Sequence, residues 1–174
     1  LRVVAHVRER EAALAGALDH ETRVQAHDHT ALKLWLRLLT CTHLIEGSVR
    51  RKLRSEFEST LPRFDLLAQL ERHPQGLKMS ELSRCLMVTG GNVTGLTADL
   101  ERDGLVVRES SPNDRRSWIV RLTAEGRRSF EAMAAEHERW VLELFDGLDA
   151  KALAQLHAHL GRLRLHAARM RTPD

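Results

Sequence analysis

The feature that most constrains this chain is a change of apolar period between Met79 and Leu122. Ser80 opens a short stretch with Leu82, Cys85 and Leu86 about one helical turn apart, and Thr89 opens a second with Val93, Leu96 and Leu100. Spacings of three and four put such residues on one side of an α-helix. Ser80 and Thr89 are residue types that cap helix starts through their hydroxyls, and Gly104 suits the left-handed residue just past a helix end. Beyond Gly104 the period drops to two. Leu105, Val106 and Val107 are β-rich, Ser110-Ser111-Pro112-Asn113-Asp114 is turn chemistry, and Trp118, Val120 and Leu122 alternate with Ile119 and Arg121. That pattern predicts a β-hairpin. Two short helices with a tight connection, followed by a hairpin, form a winged helix-turn-helix unit.

The flanks predict long helices. Val3, Val7, Leu14 and Leu18 recur at helical spacing until His27-Asp28-His29-Thr30 breaks the pattern. The longest helix pattern covers residues 31–57, and between Ala31 and Ile45 only Lys33 and Arg37 carry a full charge. A helix apolar nearly all round must be covered on several sides, and in a small chain a second subunit is the simplest cover. Pro62 suits a first helical turn, with Phe64, Leu67 and Leu70 on one face until His73-Pro74. Thr123 is expected to cap a long helix carrying Phe130, Met133, His137, Trp140, Val141, Leu144 and Leu148. After Asp149, residues Leu153, Leu156, Leu160, Leu163, Ala167 and Met170 step by three and four as a helix-packing seam does.

Composition narrows the partners. The 174 residues allow one domain with extra helices, and a net charge of +3 with a pI near 9.3 allows a polyanion. From Leu105 to Arg128 six arginines (108, 115, 116, 121, 127 and 128) face three acids, a candidate phosphate-facing surface. Tyrosine is absent and aromatics are 4% of residues, so readers that stack single-stranded bases are disfavoured and duplex DNA is the expected nucleic acid. Two cysteines far apart point to a reducing compartment. With no run of eighteen apolar residues and no leader-like start, the expectation is a cytoplasmic protein with no membrane partner.

A helix that enters a major groove about 12 Å wide needs small or polar side chains on one face of its first turns. Thr89, Gly90, Gly91, Asn92, Thr94 and Gly95 supply that face, with Ser80 at the start of the preceding helix; the alternative is an ordinary capped amphipathic helix with destabilising glycines. Asn92 can pair with adenine, and Thr94 can contact a thymine methyl or a phosphate. Arg115 and Arg116 at the hairpin tip suit the minor groove or phosphates, with Asp114 placed to orient one of them.

The run from Leu82 to Gly126, through Leu100-Glu101-Arg102-Asp103-Gly104-Leu105-Val106, Asp114-Arg115-Arg116 and Leu122-Thr123-Ala124-Glu125-Gly126, resembles the MarR family of winged-helix regulators. The resemblance extends more loosely from about Thr30 to Met170. It implies a homodimer on a pseudo-palindromic duplex, joined through the first long helix and the last two. The expected fold is therefore mainly α with a small β-hairpin wing: an N-terminal helical extension (1–29), a dimerisation helix (30–60), a winged helix-turn-helix (61–122) and C-terminal dimerisation helices (123–174). Gly95 departs from the family pattern, where many members carry a basic or larger polar residue. Base readout by that helix is then expected to be sparse, with the wing carrying more of the affinity.

The resemblance also implies an effector, because many such regulators bind aromatic acids or their thioesters between the dimerisation helices and the winged domain. The stretch Leu61-Pro62-Arg63-Phe64-Asp65 is similar to members tied to aromatic-acid or aryl-coenzyme A catabolism. Trp35, His43, Arg63, Phe64, His137 and Trp140 form the candidate effector site, and the alternative is that they are simply core. His43, Glu46 and Arg50, a turn apart along one helix, either make an intersubunit or intrahelix ion pair or line a cavity that receives an anionic ligand.

Other chemistries fit less well. In Gly90-Gly91-Asn92-Val93-Thr94-Gly95 a leucine, Leu96, stands where a phosphate loop needs its lysine, and no nucleophile elbow or paired-carboxylate motif occurs, so no catalytic residue and no cofactor are expected. His157 and His159 are two apart on a helix and point away from each other, and His27 and His29 lie in a linker, so no metal site is expected. Cys41 and Cys85 are expected to be buried, with thiolate sensing the alternative. The competing function is a helical dimerisation or adaptor module whose winged helix binds protein in place of DNA.

Overall fold

The computed structural model describes residues 29–86, 89–111 and 114–170; apart from His29, the helix expected over 1–29 lies outside the described residues. The chain divides into two compact units, residues 1–61 and 62–174.

In the first unit, α1 spans Thr30–Phe57. It ends where Glu58 turns left-handed at φ 50° and the Ser59 N–H donates to the Leu53 carbonyl at 3.1 Å. Val49 and Leu53 are buried, whereas Leu32, Leu34, Trp35 and Leu44 are each about half exposed. Arg50 pairs with Glu46 one turn back at 3.2 Å, and His43 is exposed.

The second unit carries α2 (Leu61–Glu71, whose first residue closes the first unit), β1 (Leu77–Lys78), α3 (Met79–Leu86), α4 (Gly90–Arg102), β2 (Val106–Ser111), β3 (Asp114–Leu122), α5 (Ala124–Phe145) and α6 (Ala150–Met170). The expected hairpin is one part of a three-stranded antiparallel sheet in the order β1-β3-β2. Val106 pairs with Leu122 and Ser110 with Trp118, then a bulge at Ser110/Ser111 adjusts the register before the turn. The third strand, with Leu77 opposite Val120, is only two residues long and so leaves no alternation in the sequence to detect. Phe64, Leu66, Leu67 and Leu70 of α2, Leu82 of α3, Val93, Thr97 and Leu100 of α4, Val106 and Val120 of the sheet, and Met133 and Trp140 of α5 are buried.

Two details depart from expectation. Helix α3 starts at Met79, so Ser80 lies within its first turn; the Glu81 carboxylate caps it by accepting from the Lys78 N–H at 2.8 Å. Cys41 and Cys85 are both exposed, not buried. The eight-residue α3 buries only Leu82, which turns Cys85 out beside Arg84, and Cys41 sits on the half of α1 where little is covered.

Thr123 caps α5 as expected, accepting from the Gly126 N–H at 2.9 Å and donating to the Gly104 carbonyl at 2.7 Å. Asp149 caps α6 through the Ala152 N–H at 2.7 Å. No residue of α6 is buried, and Leu153, Leu156, Leu160, Leu163 and Met170 are 37–76% exposed.

Candidate nucleic-acid interface

Helix α4 has two unlike faces. Val93, Thr97 and Leu100 point inward, and Thr89, Gly90, Gly91, Asn92, Thr94 and Gly95 are exposed on the other side. Thr89 occupies the N-cap position with extended backbone, but its side chain makes no capping bond, and the first turn has no acid. Within the helix itself no acid or side-chain cap offsets the positive end of its dipole, an arrangement that favours an approaching anion. The Thr94 hydroxyl donates to the Gly90 carbonyl at 2.9 Å, which leaves its oxygen able to accept. Ser80 is exposed at the start of α3. A methyl group added at Gly90, Gly91 or Gly95 meets nothing within 4 Å among the described residues, which give no steric reason for the smooth outer face of the helix.

The arginine-rich stretch is more selective than its composition suggests. Arg108 pairs with Glu101, Arg121 with Glu109 at 3.3 Å, Arg127 with Glu71 at 2.6 Å and Arg128 with Glu125. Four of the six arginines thus have carboxylate partners. The other two, Arg115 and Arg116, lie on the β3 backbone at the hairpin end; the side chains of the tip, with the orienting role given to Asp114, lie outside the described residues. Sequence reasoning missed the ties at the far end of α4, where Glu101 meets Arg108 and Asp103 meets Arg63. The acidic run Glu101-Arg102-Asp103 was visible, but its partners come from other elements.

Four of the six residues named for an effector fall in the second unit. Phe64 lies 4.9 Å from His137 and 5.5 Å from Phe130 between ring centroids, and His137 lies 6.5 Å from Trp140 edge-on. Phe64 and Trp140 are buried and His137 half-buried, so the rings form one aromatic cluster. Arg63 pairs with Asp103. Trp35 and His43 are exposed on α1 in the first unit. No group of three or more metal-ligating side chains occurs among the described residues.

A short helix and a second helix close after it with a small polar outer face, followed by an antiparallel hairpin, match a winged helix-turn-helix reader of duplex DNA. The MarR family model matches residues 60–117. The transcriptional activatory protein BadR of Rhodopseudomonas palustris is 34% identical over 106 residues, 60% of this chain and 60% of BadR. YdgJ of Bacillus subtilis, an HTH-type transcriptional regulator, is 32% identical over 144 residues, 78% of this chain and 87% of YdgJ. Among solved structures, a MarR family transcriptional regulator from Silicibacter pomeroyi shares 34% identity with a TM-score of 0.69, covering 82% of this chain and 99% of its own. Sco3205 of Streptomyces coelicolor, a MarR family regulator solved in complex with DNA, shares the fold with a TM-score of 0.74 at 24% identity, over 87% of this chain and 93% of its own. The chain belongs to the MarR family. It is a DNA-binding transcriptional regulator and not an enzyme. No helix among the described residues is long and apolar enough to cross a membrane.

Proposed function

We propose that the protein is a cytoplasmic, ligand-responsive repressor that binds a pseudo-palindromic operator as a homodimer. The observation that carries the DNA contact is the outer face of α4. Thr89, Gly90, Gly91, Asn92 and Thr94 lie exposed there with no acid or side-chain cap of the helix's own at its start, Ser80 lies at the start of α3, and Arg115 and Arg116 supply the wing. Base-edge contacts from Asn92 and Thr94 give specificity, and the arginines give salt-dependent affinity.

Dimerisation is assigned to α1, α5 and α6 (30–60 and 123–174), with residues 61–122 as the DNA-binding part. Support comes from α6, which carries a leucine seam and buries nothing in a single chain. Sedimentation at micromolar concentration should give twice 19.8 kDa.

The effector reading takes an aromatic carboxylate or its coenzyme A thioester, with Arg63 for the anion and Phe64, His137 and Trp140 for the ring. Arg63 already holds a carboxylate, that of Asp103 at the C-cap of α4, so a ligand acid that exchanged with it would bear directly on the reading helix. BadR is named an activatory protein; DNA release and the sign of regulation are separate properties, the second depending on where the operator lies.

The test is a titration on duplexes selected from a random pool. Alanine at both Arg115 and Arg116 should flatten the dependence of log affinity on log salt by about one to two phosphate equivalents per subunit. Binding that ignores salt, or no binding to any duplex, would favour the adaptor reading. Aromatic acids and aryl-coenzyme A thioesters, screened by thermal shift and then added to the titration, should release DNA, with Trp35→Ala and His43→Ala variants read beside Arg63→Ala. If none both stabilises the protein and weakens its DNA complex, the effector reading falls and DNA binding stands.

A further inference from the structure

The last turn of α4 breaks a local rule. Asp99, Glu101 and the C-cap residue Asp103 crowd the negative end of the helix dipole, where bases are favoured, and Arg102 is the one base in the last turn. Each acid is met by an arginine. Asp99 pairs with Arg102 at 3.0 Å within the helix, Asp103 with Arg63 of α2, and Glu101 with Arg108 of β2. The last of these joins the reading helix to the first strand of the wing. Arg108 Nε donates to Glu101 Oε2 at 2.7 Å, and Nη2 donates to the same oxygen. Hydrogen bonding from Arg108 holds the Glu101 carboxyl below the usual carboxylate range, outweighing the opposing effect of burial. Both side chains are one-third exposed, a setting in which an ion pair adds little to folding stability.

Acids placed against the dipole, each met by an arginine and two of them by arginines from other elements, make sense if what they fix is orientation. A duplex met by a helix in one groove and a hairpin beside it demands that the two keep their relative position closely. We propose that Glu101 and Arg108 are positioning residues for DNA recognition, their ion pair fixing α4 against the wing so that both meet the duplex as one body. This rests on the reading that α4 and the wing both touch DNA. Neither residue needs to touch DNA itself.

The charge of Glu101 makes the test sharp. Removing a negative charge close to DNA should tighten binding if only long-range electrostatics matters. The positioning role predicts the opposite sign. In anisotropy titrations of the full chain on its selected duplex, Glu101→Gln should bind on the order of tenfold more weakly, the scale of coupling within one ion-pair network. Arg108→Gln should weaken binding similarly, with the salt slope unchanged, because no phosphate contact is lost. The exchange Glu101→Arg with Arg108→Glu should recover much of the loss, and thermal midpoints should stay close to that of the parent protein. Glu101→Gln binding as tightly as the parent, or more tightly, would overturn the proposal. So would an Arg108→Gln slope flatter by about one phosphate per subunit, which marks a direct contact. Loss of folding in either single variant assigns the pair to the fold and also overturns it. If the parent chain binds no duplex, the DNA reading falls first and this role with it; normal parent binding beside an unaffected Glu101→Gln removes the positioning role alone.

Discussion

Gly126 and Gly95 both sit in helices of the second unit, and a methyl group added to each meets opposite surroundings. At Gly126 it would lie 1.8 Å from the Leu105 carbonyl oxygen and 2.8 Å from its carbon, backbone that cannot step aside. This is the junction where the chain leaves α4, starts β2 and later starts α5, held by Thr123 bonding to Gly104 and to Gly126. At Gly95 the added methyl meets nothing among the described residues, and Gly90 and Gly91 on the same face are equally open to them. Glycine inside a helix costs about 1 kcal/mol relative to alanine. The first glycine answers to the chain's own packing. The second carries a cost that no described residue requires, and the proposed DNA contact would give it a reason.

Breaking the first side should have the largest effect. Gly126→Ala should lose about 3 kcal/mol of stability through overpacking against backbone, read by urea unfolding. A loss under about 0.5 kcal/mol, the size of an ordinary surface change, would mean that the junction relaxes and the glycine is dispensable. On the other side, Gly95→Ala should gain about 1 kcal/mol. The same variant should bind the selected duplex more weakly, because the methyl enters the space left for the groove. Stability gained with DNA binding unchanged would break the comparison and leave Gly95 with no role that the structure explains.

Much of this division was legible before any coordinates. Thr123 is expected to cap a helix, and it does so by accepting from the Gly126 N–H. The period change at Gly104 predicted the passage from helix to strand, and Gly104 stands at φ 72°. What sequence left out lies in contacts between distant elements. Leu77 and Lys78 form a strand only because β3 has an open edge beside them, and two residues carry no period. The basic stretch from 105 to 128 read as one phosphate-facing surface because composition does not show that Glu101 and Glu71, on other elements, occupy Arg108 and Arg127. Cys85 read as core because helical spacing aligned it with Leu82, but a helix of two turns buries too narrow a stripe to include it.

The inner face of α4 offers a smaller, cleaner probe. Thr97 is fully buried, and its hydroxyl finds no hydrogen-bond partner among the described residues. An unmet buried hydroxyl is costly, so Thr97→Val, nearly the same shape, should stabilise the protein by about 0.5–1 kcal/mol. Specific DNA affinity should not move, since the residue faces away from the duplex. A change in affinity would show that the inner face also answers to DNA, and the division between inward and outward positions would need redrawing.

Glu101 lies between the two classes, partly exposed and tied to the wing, and its titration gives the smallest effect. Arg108 lowers its folded-state carboxyl below the usual range, so on acidification the unfolded chain takes up the proton first. The pair's contribution is therefore fully present above the ordinary carboxylate range and is lost as pH falls through the lowered folded value. Urea midpoints followed from pH 7 down to about 3.5, below the ordinary glutamate range, should fall more steeply for the parent protein than for Glu101→Gln. The two curves should run parallel above that range. A single slope for both proteins throughout would mean that the pair does not form in solution, and the tie between α4 and the wing would then rest on their packing and on the backbone junction at Gly104 and Thr123.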